Sequence, residues 1–290
     1  MSDKFTAVWA SHSSISDFLQ CPRAYYLKNI YKDTKTGHKI NLMNPSLALG
    51  QTVHSVLESL SVIPVDERLT TIPLVARFDE EWKKVSGKKG GFFDSESEYK
   101  YKKRGEDMLK RIYNNPGPIG RKAVKITSND LPQYWLSEEE NIILCGKIDW
   151  LEYLEDIDSV NIIDFKTGRK KEDKNSLQLP IYHLLVHNCQ KRKVAGASYW
   201  YLETDDKPIK VNLPDLEDAR KKVLEVARKM KLARQLNKFV CPDNGCFACR
   251  DMEKVINGEA ELIGIDNYRR DVYILDKNSR EIENDESIIL

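Results

Sequence analysis

No apolar run in this chain is long enough to cross a bilayer, and its first ten residues, MSDKFTAVWA, lack a signal-peptide profile. An intracellular protein is therefore expected. Net charge is nearly missing too. Lys plus Arg number 46 against 45 Asp plus Glu, leaving +1, so no global field points to a polyanion and any nucleic-acid surface must be local. Cysteine is scarce. Six thiols in 290 residues are not a secreted disulfide framework, and clustered thiols in a reducing compartment read better as metal ligands. There is no internal repeat or low-complexity tract. What is present describes a globular protein: 41% hydrophobic and 31% charged residues exclude a disordered chain, and 290 residues allow one large domain or two small ones.

The chain is organised around Asn161-Ile-Ile-Asp-Phe-Lys-Thr-Gly168. Val160 to Phe165 reads as a short buried strand running into a polar turn at Thr167-Gly168. Strand side chains alternate, so Asp164 and Lys166 point the same way and Phe165 points into the opposite layer. A second acid, Asp149, lies on the preceding apolar run, Ile142 to Leu154. Two carboxylates can hold a hard cation, and a lysine beside them can handle an attacking water, which is what metal-dependent phosphodiester hydrolysis needs. Alone, an Asp-x-Lys at a strand end is more often a solvated pair.

Upstream, Ser13 or Ser14 can cap a helix that carries Asp17 in its first turn and Ile15, Phe18 and Leu19 as an apolar stripe. Pro22 starts a second helix, which places Cys21 at a helix corner. Residues 33–45 read as a polar loop and Ser46 to Leu60 as a helix with His54 and Glu58 on one face. A charged helical stretch follows, including Ser95 to Asn114 with Lys100, Lys102, Lys103 and Arg104. Those four are either a solvated face or a phosphate-contacting patch. Asn115-Pro-Gly-Pro-Ile-Gly120 closes this lobe. Strands are expected at Lys122 to Thr127, Gln133 to Glu138 and Ile142 to Leu154, joined to Val160–Phe165 as a meander. Then come a helix over 175–188, a strand at 194–203 hairpinned with 208–212, and a basic amphipathic helix over 216–236. The last segment holds a helix near 251–257, a strand at 271–275, and an acidic end that reads as frayed from Arg280 on.

Cys241-x4-Cys246-x2-Cys249 puts three thiols in nine residues of a Pro/Asn/Gly loop. That spacing points to metal or cluster ligation. Cys145 and Cys189 read as ordinary packed thiols, so Cys21 is the best fourth ligand. Four thiolates suit a tetrahedral zinc or an iron-sulfur cluster, and spacing does not separate them. Either would join the N-terminal helices to the C-terminal segment.

Taken in order, the motifs Ser14-x6-Cys21-Pro-Arg-x-Tyr25, Gly50-x3-His54-x3-Glu58, Gly146-x-Ile148-Asp149, Asp164-Phe165-Lys166-Thr167-Gly168, Gln178-x3-Tyr182 and the cysteine trio resemble a PD-(D/E)XK nuclease of the RecB-like family. Relatives of that kind include CRISPR-associated adaptation nucleases and phage and bacterial exonucleases. The resemblance implies an α/β fold: a restriction-endonuclease-like mixed sheet flanked by helices, in one domain over 1–290. A helical insertion would fill about 62–120, and the cysteines would clasp the two ends.

By resemblance, His54, Asp149 and Asp164, with the Phe165 carbonyl, would bind Mg²⁺ or Mn²⁺. Lys166 would orient or help deprotonate the attacking water, Gln178 would position the site, and Tyr182 would touch the substrate backbone. Glu58 is a candidate partner for His54. The family also implies a 4Fe-4S cluster on Cys21, Cys241, Cys246 and Cys249. Many relatives space the late cysteines as C-x2-C-x5-C, which this chain does not, and zinc stays open. The implied activity is a DNA exonuclease on single-stranded or frayed ends, with a helicase or recombination partner. The alternatives are a CRISPR spacer-processing nuclease and a non-catalytic iron-sulfur DNA-binding module.

Overall fold

Residues 3–126 and 131–275 are described by the computed structural model. Thr127, the last residue of one expected strand, and the end from Arg280 on lie outside them. The chain begins with β1 (Val8–Ala10), which passes directly into α1 (His12–Gln20). The cap of α1 is Ser11, two or three residues earlier than expected. Its side chain accepts the Ser14 N–H at 3.2 Å while the Ser14 hydroxyl accepts the Ser11 N–H at 2.9 Å, so Ser14 is the reciprocal partner in a capping box. Asp17 then falls past the first turn and pairs with Lys28, and Leu19 faces solvent while Ile15 is buried. Cys21 is extended between α1 and α2 (Pro22–Tyr25), with Pro22 at the first helical position where its missing N–H costs nothing. A π turn, Tyr26–Ile30, continues α2.

The segment expected to be only a loop contains β2 (Lys39–Leu42). Of its four side chains only Ile40 is buried, and its partner strand lies more than 200 residues away, so no local pattern announces it. Helix α3 (Pro45–Ser59) starts on Asn44, whose side chain accepts the Leu47 N–H at 3.0 Å, with Pro45 next. Helices α4 (Leu74–Trp82) and α5 (Ser95–Asn114) lie against it. Leu49, Val53, Val56 and Leu57 of α3 share a core with Phe78, Trp82, Met108, Leu109 and Ile112. Gly105 lets α5 close onto α4: a Cβ there would lie 2.3 Å from the Phe78 ring. On α5, Lys100, Lys102, Lys103 and Arg104 pair with Glu96, Asp79, Asp107 and Glu203, so this face is internally neutralised.

After the Pro/Gly segment, residues 122–126 make no strand. They contribute one isolated bridge, Ala123 to Glu152. β3 (Gln133–Ser137) and β4 (Ile142–Cys145) are antiparallel, and β4 pairs in parallel with β1. The apolar run 142–154 is not one strand. It breaks at 146–149 and resumes as β5 (Trp150–Leu154), which pairs with β6 (Ser159–Lys166) in a different sheet. The expected meander is therefore split into two antiparallel pairs, β3-β4 and β5-β6, in different sheets. Helix α6 (Gln178–Cys189) carries the chain over to β7 (Lys193–Tyr201), parallel to β6, and β8 (Ile209–Val211) returns antiparallel. The order is β5-β6-β7-β8.

Helix α6 is buried nearly all round, as its continuous apolar sequence requires of a helix covered on two sides. It packs on β7 and under α7 (Leu216–Gln235), whose Val223, Leu224, Ala227 and Met230 join the same core. Burying such side chains contributes about 1.5–3 kcal/mol each before entropy is counted. The lobe of α3, α4 and α5 packs against Trp150, Ile163, Phe165 and Trp200 in a second core, while α6 and α7 pack with Val160 and Ile162. Strand β6 thus separates two apolar layers, and Asp164 and Lys166 emerge at its C-terminal end. Helix α8 (Phe247–Ile256), β9 (Glu261–Ile265) and β10 (Arg270–Ile274) follow. β10 is antiparallel to β9 and parallel to β2, which ties the chain's end to its beginning. Among the described residues no helix is long and apolar enough to cross a membrane.

Candidate active site

At the end of β6 the alternation does what the pattern predicts. The Lys166 ammonium lies 2.9 Å from Asp164 Oδ2. The first residue of α6 completes the arrangement: Gln178 Nε2 donates to Asp164 Oδ1 at 2.6 Å, and Gln178 Oε1 accepts from Lys166 Nζ. One amide thereby holds the carboxylate and the ammonium in register. One turn on, the Tyr182 hydroxyl accepts from Gln178 Nε2 at 3.2 Å. Tyr182, expected to touch substrate, is 7% exposed and its hydroxyl is turned to Gln178.

Asp149 sits at the end of the break between β4 and β5, where the chain is free of the strand pairing on either side. Its Oδ2 accepts the Phe165 N–H at 2.9 Å, and its Oδ1 lies 3.4 Å from His54 Nδ1. His54 is held by α3, and its ring meets the Phe165 ring edge-on at 6.3 Å. The Phe165 side chain points into the opposite core, against Trp150 and Trp200. His54, Asp149, Asp164, Lys166, Gln178 and Tyr182 are thus brought together from α3, the 146–149 break, β6 and α6.

The two acids titrate in opposite directions. Burial, then the charge of Asp149, pushes the Asp164 carboxyl up to about 7. Burial also opposes ionisation of Asp149, but His54 and the Phe165 N–H outweigh it and hold its pKa below the ordinary carboxylate value. His54 is the counterpart: burial disfavours its protonation, and the Asp149 carboxylate overcomes this and raises its pKa. Lys166 likewise keeps a raised pKa because Asp164 and Glu172 overcome its burial. A carboxylate pair pulled apart in this way, in contact with an ammonium, is a site shaped for a further positive charge.

Two neighbours were not anticipated. Glu172, in the loop after β6, pairs with Lys166 at 3.0 Å, and its backbone N–H donates to the Tyr201 hydroxyl. His12, the first residue of α1, is close enough that Lys166 adds to burial in lowering its pKa. No period marks a loop glutamate, and β1, which delivers His12, is three residues long. Glu58 does not serve His54 here. It pairs with Lys147 at 2.5 Å, beside Asp149 on the rim of a cleft of about 290 Å³.

The residues present fit a divalent cation. Asp164 Oδ2 is buried and accepts no well-angled hydrogen bond despite the nearby ammonium. The cation partner it has, Lys166, leaves that carboxylate short of acceptor contacts that a divalent ion could share. The oxygen and imidazole donors of Asp149, Asp164 and His54 suit Mg²⁺ or Mn²⁺.

The thiols form a second centre. The Sγ atoms of Cys21, Cys241, Cys246 and Cys249 all lie within 4.8 Å of one another, and all four are free. Cys21 comes from the corner between α1 and α2, and Cys249 from the first turn of α8. The N–H groups of Gly245 and Cys246 both donate to Cys241 Sγ at 3.3 Å. These donors, that of Cys246 foremost, lower the Cys241 thiol to about 6, so it is ready as a thiolate. Burial raises the pKa values of Cys21 and Cys249, protons that a metal would displace. Cys145 is set apart: it is buried, with its thiol raised to about 11 by that burial. Cys189 donates to the Gln133 carbonyl.

A family model described as the PD-(D/E)XK nuclease superfamily matches residues 10–251, most of the chain and every residue of both centres. No curated protein matches it.

Proposed function

This chain belongs to the PD-(D/E)XK nuclease superfamily, and from that premise we propose that it is a metal-dependent deoxyribonuclease of the RecB-like type. It acts as an exonuclease on single-stranded or frayed DNA ends, in recombination, repair or phage DNA metabolism. The observation that carries this reading is the convergence of Asp149, Asp164, Lys166 and Gln178 at the end of β6.

In this reading His54, Asp149, Asp164 and the Phe165 carbonyl hold Mg²⁺ or Mn²⁺. The bound cation would neutralise phosphate oxygens and lower the pKa of the attacking water. Lys166 orients that water and stabilises charge developing on the phosphate. Gln178 keeps Lys166 and Asp164 aligned, and Tyr182 keeps Gln178 in place. Glu172 restrains Lys166 from the loop side. Since Asp164 must lose its proton to bind a cation, the site is competent at and above neutral pH.

The four cysteines hold a 4Fe-4S cluster in this reading and fasten α1 and α2 to α8. A second reading of that centre has one observation in its favour. Sulfurs around a tetrahedral zinc lie about 3.8 Å apart, and Cys246 and Cys249 are at 3.8 Å. Anaerobically purified protein that is brown, with broad visible absorbance, supports the cluster. A colourless protein carrying stoichiometric zinc replaces it.

End-labelled single-stranded and duplex DNA, incubated with Mg²⁺ or Mn²⁺ and scored for product length from each end, tests the activity. Progressive shortening of the single strand is expected. Absence of cleavage on both substrates with either ion would remove the exonuclease reading.

A further inference from the structure

Away from the candidate active site, a cleft of about 720 Å³ runs along β1 between α1 and the end of α7. Three cations line it: Lys39, Lys231 and Arg234. Many surface cations in this protein face a carboxylate. Among the described residues, Lys39 and Arg234 make no ion pair, and Lys231 has only the Glu140 carbonyl, at 2.6 Å. The lining contains no carboxylate at all. Partial desolvation and then the charge of Arg234 depress the pKa of Lys39, with Lys32 and Arg270 adding to the repulsion. In a chain whose net charge is +1, this is a local concentration of positive charge in a lining without carboxylates.

The cleft also offers flat apolar surface. Trp9 is 39% exposed on the outward face of β1, and Phe5 is 99% exposed at its rim. Both line the same cleft as the cations. Its other end reaches Ser11, the residue before His12, whose ring feels the charges of Lys166 and Glu172. The cleft therefore leads away from the candidate active site along the edge of β1. Cations without anions, interleaved with exposed aromatic faces, form the kind of surface that tracks a single strand. Phosphates meet the ammonium and guanidinium groups, and bases stack on the rings.

We propose that this cleft is a binding groove for single-stranded nucleic acid, holding the strand on one side of the active site, with Lys39 and Arg234 as phosphate contacts and Trp9 as a stacking platform. The inference rests on the nuclease reading, since it supplies that site's substrate path. A duplex has its bases paired inside and gains nothing from Trp9 and Phe5, so the groove favours single strands.

The test uses full-length Asp164→Asn protein, in which the chemistry is blocked, and a fluorescently labelled oligothymidylate followed by anisotropy across a salt series. The Lys39→Ala/Arg234→Ala double variant, made in that background, is expected to bind at least about tenfold more weakly at about 100 mM salt. Its slope of log K against log salt should fall by about 1.4, the release expected for two phosphates on a single strand. Lys39→Arg should retain the slope, and Trp9→Ala should weaken binding about tenfold with the slope unchanged. A merely structural role would alter thermal melting but leave the slope alone. If the parent binds the strand and the double variant has the same affinity and slope, the groove is wrong and the nuclease reading stands. If the parent binds no strand, and protein with Asp164 intact cuts none, both fall together.

Discussion

Cation binding at Asp164 should be coupled to pH, and the size of the coupling follows from the site. The carboxyl is 1% exposed and pushed up to about 7 by burial and by the neighbouring Asp149. A cation held there must displace the proton. With that pKa, the fraction of ready sites rises from about a tenth at about pH 6 to about nine tenths at about pH 8. Affinity for Mn²⁺ should therefore rise by at least about tenfold across those two units, about 1.4 kcal/mol, from Asp164 alone. Asp149 is held low and does not titrate in this range, whereas the raised pKa of His54 steepens the acidic limb. Titration calorimetry in buffers of different ionisation enthalpy measures both affinity and protons released. Release should approach one proton or more per ion at about pH 6 and decline as pH rises to about 8. An affinity that is flat across this window, or binding without proton release at the acidic end, would refute the reasoning. The cation-free protein should show the complementary trend. A folded-state pKa above the unfolded 3.8 means that the stability contributed by neutral Asp164 is full below about pH 4 and lost as pH rises through about 7. Its melting temperature should fall across that window, and added Mn²⁺ should restore it.

Other perturbations separate the parts. Gln178→Ala leaves Asp164 Oδ1 buried without its donor and frees Lys166, so single-turnover cleavage should slow about 10- to 100-fold, about 1–3 kcal/mol, with substrate affinity little changed. Cys21→Ser opens a clasp that spans about 220 residues, a loop-closure contribution of about 5 kcal/mol; bound metal should be lost on elemental analysis and the melting temperature should drop by about 10 °C or more. Arg68 is 3% exposed, donates to the carbonyls of Ile63, Ile119 and Arg121, and lies over the Trp150 ring at 5.1 Å. Arg68→Ala should cost about 3 kcal/mol in denaturant unfolding while leaving the metal content of the cysteine centre intact.

Much of the site was legible because its signals are local. The alternation at Asp164 and Lys166, the helical spacing of Gln178 and Tyr182, and the density of thiols near 241–249 each lie within one element. Cys21 could be chosen as fourth ligand because a proline corner is also a local sign. Helix α5 shows the same principle: its expected bounds, Ser95 to Asn114, are the observed ones, and a proline and glycine segment lies beyond its end. What escaped depends on partners far along the chain. β1 and β2 have three and four residues and are strands only because β4 and β10 pair with them. The run 142–154 has strand composition throughout, but its two halves join different sheets, and the break between them delivers Asp149. Glu172 was invisible for a related reason: a loop residue carries no period, and its contact with Lys166 exists only once the loop is folded over β6. The basic residues of α5, open to either reading in sequence, all found acidic partners.

Cleavage of end-labelled single-stranded DNA by wild-type protein, Asp164→Asn and Lys166→Ala, with Mn²⁺ and with strand binding measured in parallel, tests the central claim most directly. The site described here predicts that each substitution lowers the rate by about a thousandfold or more while the strand is still bound. Undiminished cleavage by Lys166→Ala would contradict it.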